Sequence, residues 1–264
     1  MDQAYRHLAY SVHGRVAEIV LNRPPVNALN MLVIEELIAA LRQAGDDDEV
    51  RAIVVSSAFE NVFCAGLDLD IVRGGGGLGM RRFLSKLYIE LYDVQYGLSK
   101  PTIAAVRGAA RAGGMTVAVA CDMIVAGEGA TFGYPEVHVG LVPAIHFVHL
   151  PRIVGRHRAF ELLFGGDSFS AADAKELGLL NRLVPDDKVL EEARLLATQM
   201  ASKSPVVMQL GRDAFMRAND FDYRRAIQNV AETMCALVET EDSQEGLTAF
   251  VEKRAPSWRD DTEG

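Results

Sequence analysis

Residues 100–143 read KPTIAAVRGAARAGGMTVAVACDMIVAGEGATFGYPEVHVGLVP, and the rest of the chain is organised around this stretch. An apolar run from Pro101 to Val106 has strand character and enters a loop of small residues. Gly113-Gly114 opens a predicted helix from Met115 to Ala120, and a second apolar run, Met123 to Ala126, predicts another strand. Phe132-Gly133-Tyr134-Pro135-Glu136 follows. Two chemical features thus lie close together in sequence. One is a helix N-terminus, whose first N–H groups lack intrahelical partners and carry partial positive charge. The other is the Glu136 carboxyl group in apolar company. Backbone donors that hold an anion, beside a tunable carboxyl, are the minimum equipment for forming and reprotonating an enolate.

Upstream, Arg15 to Leu21 alternates and then becomes continuously apolar, as a strand does, until Asn22-Arg23-Pro24-Pro25 ends it. Asn30 is placed to cap a helix in which Ile34, Leu37, Ile38 and Leu41 recur at helical spacing. Ile53 to Val55 reads as a short buried strand after a solvated acidic loop, Asp46 to Glu49. In Phe63-Cys64-Ala65-Gly66-Leu67-Asp68-Leu69-Asp70, the small residues let the backbone approach a ligand closely. Asp68 and Asp70 have the chemistry of metal ligands, but a solvated loop or helix start is the favoured reading. Gly74 to Gly79 (GGGGLG) formally matches a dinucleotide fingerprint, yet it lacks the preceding strand that fingerprint needs and reads as a mobile loop. A helix is predicted from about Arg81 to Leu98. Its apolar residues Met80, Phe83, Leu84 and Leu87 fit either an acyl pocket or ordinary core.

Downstream, a helix is predicted over Arg152 to Phe164, and Ser170 with Asp173 makes a capping box for another, closed by Gly178. Leu179 to Pro185 is a strand or turn, and the remainder is almost purely helical. Strands alternating with helices, then helices alone, predict an α/β core followed by a helical segment used for covering or subunit contact.

Composition narrows the function. Half the residues are apolar (49%), so a substantial core is available, and no run is long enough to span a membrane. The net charge of −9, with Lys and Arg scattered, argues against nucleic acid as a partner. Cys64, Cys121 and Cys235 are odd in number and far apart, which fits reduced thiols in a cytoplasmic protein rather than disulfides or zinc. Met1-Asp2-Gln3-Ala4 does not begin like a signal peptide. The spacing of His138, His146 and His149 lacks committed co-ligands, so no metal is expected.

The segments LNRP, FCAGLDL, KPTIAAVRGAARAGG, CDMIVAGEGATFGYPEVHVGLVP, SFSAADAKELGLLNRLVP and AFVEKR, in this order, resemble the enoyl-CoA hydratase/isomerase family, the crotonase superfamily. The resemblance runs nearly end to end. It implies a crotonase-like spiral of ββα turns over residues 1–195, then a C-terminal helical trimerisation region over 196–264 that also covers the site. It implies an acyl-CoA substrate, coenzyme A entering as part of that substrate with no tightly bound cofactor, and a homotrimer or dimer of trimers. Position by position, the backbone amides of Leu67 and Gly113 match the donors that hold the thioester oxygen. Val26, Ala28, Ala65, Leu67, Asp68 and Leu69 match positions around coenzyme A. Phe250 and Lys253 match positions that close over the ligand, with Lys253 either pairing with a phosphate or simply solvated.

The chain departs from the family at one position. Hydratases carry a glutamate three residues after the oxyanion glycine, where this chain has Thr116. A hydroxyl orients water but is no base near neutrality. Glu136, retained, is enough for moving a double bond, so the sequence slightly favours isomerisation with Glu136 as sole acid/base. Hydration is the alternative, and needs help that His146 can supply; His146 as a structural histidine is the plainer reading. Thioester hydrolysis, decarboxylation, carbon–carbon cleavage and a coenzyme A-binding protein without activity remain open.

Overall fold

The computed structural model describes residues 5–219 and 223–257. In chain order these form β1 (Leu8–His13), β2 (Val16–Leu21), α1 (Met31–Asp46), β3 (Ala52–Ser57), β4 (Val62–Cys64) and α2 (Leu69–Leu84). A π-helical turn, Ser85–Glu90, joins α2 to α3 (Leu91–Gly97). Next come β5 (Thr102–Val106), β6 (Ala109–Arg111), α4 (Gly113–Ala120), β7 (Met123–Gly127), β8 (Thr131–Gly133) and a 3-10 turn, Pro135–Val139. The chain continues through α5 (His146–Val154), α6 (Arg156–Gly165), β9 (Ser168–Ser170), α7 (Ala171–Glu176) and β10 (Arg182–Val184). Four helices end it: α8 (Val189–Ala201), α9 (Pro205–Asn219), α10 (Tyr223–Val238) and α11 (Glu241–Glu252). No helix among the described residues is long and apolar enough to cross a membrane.

Two mixed sheets carry the fold. One has the order β1-β2-β3-β5-β7-β10, with β1 antiparallel to β2 and the other pairs parallel. The other has the order β4-β6-β8-β9, with β4, β6 and β8 parallel and β9 antiparallel to β8. The central parallel strands β3, β5 and β7 are mostly apolar along their length because both faces are covered. Val54 and Ile103 pack beneath α8 with Ala193 and Leu196, while their neighbours Ile53, Val55, Ala104 and Val106 face the main core.

Several local expectations hold for the reasons given. The Asn30 side chain accepts the Val33 amide at 3.0 Å and caps α1. Ser170 and Asp173 cap α7 reciprocally. Others are corrected. The glycine run lies inside α2 rather than in a loop. Glycine costs a helix about 1 kcal/mol per residue, but the Asp68 cap fixes one end of α2 while Met80, Phe83 and Leu84 are buried at the other. These three residues are core, one of the two readings their spacing left open, and Leu87, also core, lines a cavity as well. The helix predicted over Arg152 to Phe164 is two helices, broken at Gly155, whose φ of +80° a side chain would strain.

Arg212 of α9 ties the last helices to the core. Its guanidinium donates to both Asp122 oxygens (3.0 and 3.1 Å) and to the Gln95 and Tyr96 carbonyls (2.7 and 3.1 Å) at the end of α3. Those carbonyls are the unpaired acceptors of a helix C-terminus, where a cation is favourable. Arg212→Met is expected to lower unfolding free energy by about 2 kcal/mol, because the charged hydrogen bonds of a buried guanidinium are lost and the Gln95 and Tyr96 carbonyls lose their donor. Urea denaturation checks this.

Candidate active site

Three neighbouring parallel strands end on the same side of the smaller sheet. β4 leads into Ala65-Gly66-Leu67, β6 into Ala112-Gly113 and β8 into Tyr134-Pro135-Glu136. Their registers pair Cys64 with Ala110 and Arg111 with Gly133. Adjacent strands lie about 4.8 Å apart, so Leu67, Gly113 and Glu136 leave the sheet side by side. The carboxyl ends of such strands are where α/β sheets hold ligands.

The first two exits nearly touch. A Cβ placed on Gly66 would lie 3.4 Å from the Gly113 nitrogen and 2.8 Å from the Ala112 Cβ. Leu29 pairs with the 66–68 backbone, its amide donating to Gly66 O (2.7 Å) and its carbonyl accepting from Asp68 N (2.9 Å). In that parallel bridge the Leu67 amide turns away from Leu29. Gly113 is the first residue of α4, so its amide has no partner in the helix. Among the described residues neither amide donates to an acceptor. Ala112, just before, has φ 49° and ψ −118°, a costly conformation for a residue with a side chain, and this aims the start of α4.

Glu136 is buried, with 9% of its surface exposed. Its Oε2 has no hydrogen-bond partner among the described residues. Burial pushes its pKa up to about 8, against a small opposing effect of its own backbone N–H. Tyr88 of the π-helical turn and Tyr134 are close enough for their phenols to feel its charge; burial first, then that charge, keeps both protonated.

Thr116 and His146 meet: Oγ1 of one lies 3.3 Å from Nε2 of the other. His146 is 1% exposed and packs against Tyr134, ring centroids 4.5 Å apart. Burial, then His149 nearby, drives its pKa well below the usual imidazole value, so the ring is neutral near pH 7. The neutral ring can donate to or accept from the Thr116 hydroxyl, according to its tautomer.

The loops matched to coenzyme A are tied together. Ala65 N donates to Val26 O (3.0 Å), and Arg23 donates to Ala28 O (2.7 Å) and to Asp68 Oδ2 (2.6 Å). Asp68 is thus engaged as an ion-pair partner and as the cap of α2. Leu69 opens α2, and its side chain lies outside the described residues. Phe250 (60% exposed) and Lys253 lie on and just after α11; no hydrogen bond or ion pair links them to these loops among the described residues. α11 packs instead on the 3-10 turn that carries Glu136.

Sequence reading missed Gln95 and set His149 aside as structural; both line a cavity with Thr116 and His146. A signal existed for Gln95. It falls in the stripe Leu87, Leu91, Gln95, a polar residue where the helical period calls for an apolar one.

The model of the enoyl-CoA hydratase/isomerase family matches residues 11–261. A short-chain-enoyl-CoA hydratase of Clostridium acetobutylicum is 33% identical over 243 residues, 91% of this chain and 93% of that protein. A crotonyl-CoA hydratase of Syntrophomonas wolfei is 32% identical over 95% of this chain and 97% of its own. The crystal structure of an enoyl-CoA hydratase from Mycobacterium avium subsp. paratuberculosis superposes with a TM-score of 0.86 at 25% identity, covering 97% of this chain and all of the other (100%). The fold, with its paired sheets and helical C-terminus, is that of the crotonases. The chain belongs to the enoyl-CoA hydratase/isomerase family and is an enzyme of that family, whose substrates are coenzyme A thioesters. The slight preference for isomerisation drawn from Thr116 gains no support from these relatives, which carry hydratase names.

Proposed function

We propose that this protein hydrates 2-enoyl-CoA thioesters. The contact between Thr116 and His146 carries the reading, because it joins a water-orienting hydroxyl to a neutral imidazole where one side chain alone lacks a base. The thioester oxygen sits against the amides of Leu67 and Gly113, and the α4 dipole adds to their pull on the developing negative charge. Water held by Thr116 adds to C3, its proton passing to His146. The electron pair of the double bond moves onto the thioester as an enolate. Glu136, in its acid form, then protonates C2, and the proton on His146 returns to the Glu136 carboxylate as product leaves. Coenzyme A lies along Val26, Ala28, Ala65 and Asp68, a reading supported by the hydrogen bonds that hold these loops together. The apolar side chains that α9 exposes, Val206, Val207, Leu210 and Phe215, support self-association, with a trimer as the family resemblance implies.

The pH profile tests the assignment of Glu136. As the proton donor it must be protonated, so kcat/KM for hydration is expected to stay level below about 8 and to fall as pH rises through that value. A base removing the C2 proton for isomerisation would give the opposite limb. His146→Phe should reduce hydration of but-2-enoyl-CoA about a hundredfold. Undiminished hydration in that variant, or brisk isomerisation of a 3-enoyl-CoA with no hydration, would overturn the reading.

A further inference from the structure

A cavity of about 240 Å³ runs along α4 from Thr116 to Asp122, between α3, α5 and α9. It begins one helical turn from Gly113. Leu87, on its wall, has its Cδ2 3.5 Å from where a Gly113 Cβ would stand. From Thr116, where the proposed mechanism places C3, to Cys121 the chain rises about 7–8 Å, which carries an acyl chain to about its ninth carbon. Leu87, Val119, Ile145 and Phe215 supply apolar walls.

Its deeper lining is polar. Gln95 is 3% exposed and its Oε1 has no partner among the described residues; the same holds for Nδ1 of His146 and of His149. Buried polar atoms are nearly always hydrogen-bonded, and leaving one unpaired costs free energy. The lining also carries no net charge. Asp122 is matched by Arg212, and the Cys121 thiol is held protonated by burial first and then by Asp122. His149 is neutral, since burial, then Arg152, brings its pKa down to about 4. Among the described residues no Lys or Arg lines the cavity, so a carboxylate would enter without forming an ion pair with the wall. A carbonyl has nothing to donate to the Gln95 oxygen. A hydroxyl both donates to that oxygen and accepts from an imidazole N–H.

We infer that the cavity is the acyl subsite and that it selects chains bearing a hydroxyl group near the ninth carbon. This rests on the coenzyme A thioester reading above and adds the substrate class to it. A site built to bond a hydroxyl discriminates strongly against the analogue without one.

Binding of two saturated thioesters, 9-hydroxynonanoyl-CoA and nonanoyl-CoA, measured by calorimetry, reads the cavity without any chemistry. The hydroxylated ligand is expected to bind about tenfold more tightly. Gln95→Leu should bring the two affinities together while leaving nonanoyl-CoA within about threefold of its original value. His149→Phe, a separate variant on the same wall, should also narrow the gap. Equal affinities in the unsubstituted protein, or a preference that survives Gln95→Leu and His149→Phe, would assign the cavity to water and overturn the inference alone. If neither thioester binds, the coenzyme A reading falls with it.

Discussion

Glu136→Gln is expected to lower kcat for hydration about a thousandfold and, in the same protein, to raise stability in alkaline buffer. Glutamine keeps the shape of the side chain and its lack of charge but gives up no proton. The stability change follows from linkage. The folded pKa of about 8 lies above the ordinary value of 4.5, so the native state holds a proton that the unfolded chain has already released between these values. The wild-type protein therefore has its full stability below about 4.5 and loses it progressively as pH rises through about 8. The gap from 4.5 to about 8, at roughly 1.4 kcal/mol per pH unit, amounts to roughly 4–5 kcal/mol at most. Glu136→Gln removes this loss. Thermal unfolding should place the variant well above wild type at pH 9 and level with it at pH 4.5. A variant no more stable than wild type at pH 9 would mean that the carboxyl is solvated rather than buried. His149 acts on the other side: held down at about 4, it contributes stability above pH 6.5 that is lost as pH falls through about 4.

Gly66→Ala should cost about a hundredfold or more in kcat with a much smaller effect on KM for the thioester. The new methyl group would stand 2.8 Å from the Ala112 Cβ and 3.0 Å from the Arg111 carbonyl, and φ is +99° at this position. The strand exits must then spread, and the Leu67 and Gly113 amides with them. The donors act on charge that develops in the transition state, so kcat is the quantity that suffers. Adding Ala112→Gly removes the closer of the two collisions and frees a residue held at φ 49°. The double variant should recover about tenfold. A double variant as slow as Gly66→Ala would place the damage in the Arg111 contact instead.

The sequence made the individual pieces visible and hid their arrangement. Asn30, Ser170 and Asp173 announce their helices because capping is local, satisfied within three residues. Strands β4, β6 and β8 have three residues each, too few to show a period, and their pairing is carried by main-chain atoms that no residue type reveals. That Leu67, Gly113 and Glu136 leave one sheet side by side was therefore legible only through family resemblance. The Thr116–His146 contact spans thirty residues of sequence (|i−j| of 30), so the sequence could name His146 as a candidate helper for Thr116 but could not show that the two side chains meet. The glycine run misled because its composition favours a loop while the anchors that make it helical lie outside it, at Asp68 and from Met80 onward.

In the proposed function the two groups that hold the thioester oxygen, at 67 and 113, are peptide N–H groups, and almost any amino acid supplies one. Mutation of a side chain cannot delete them; only a change in backbone path, or a proline, can. The acid and base around them enjoy no such protection, and each is open to replacement by a single codon change. An enzyme built this way can exchange its proton-handling residues, as Thr116 shows, and take up new reactions while inheriting its anion holder intact.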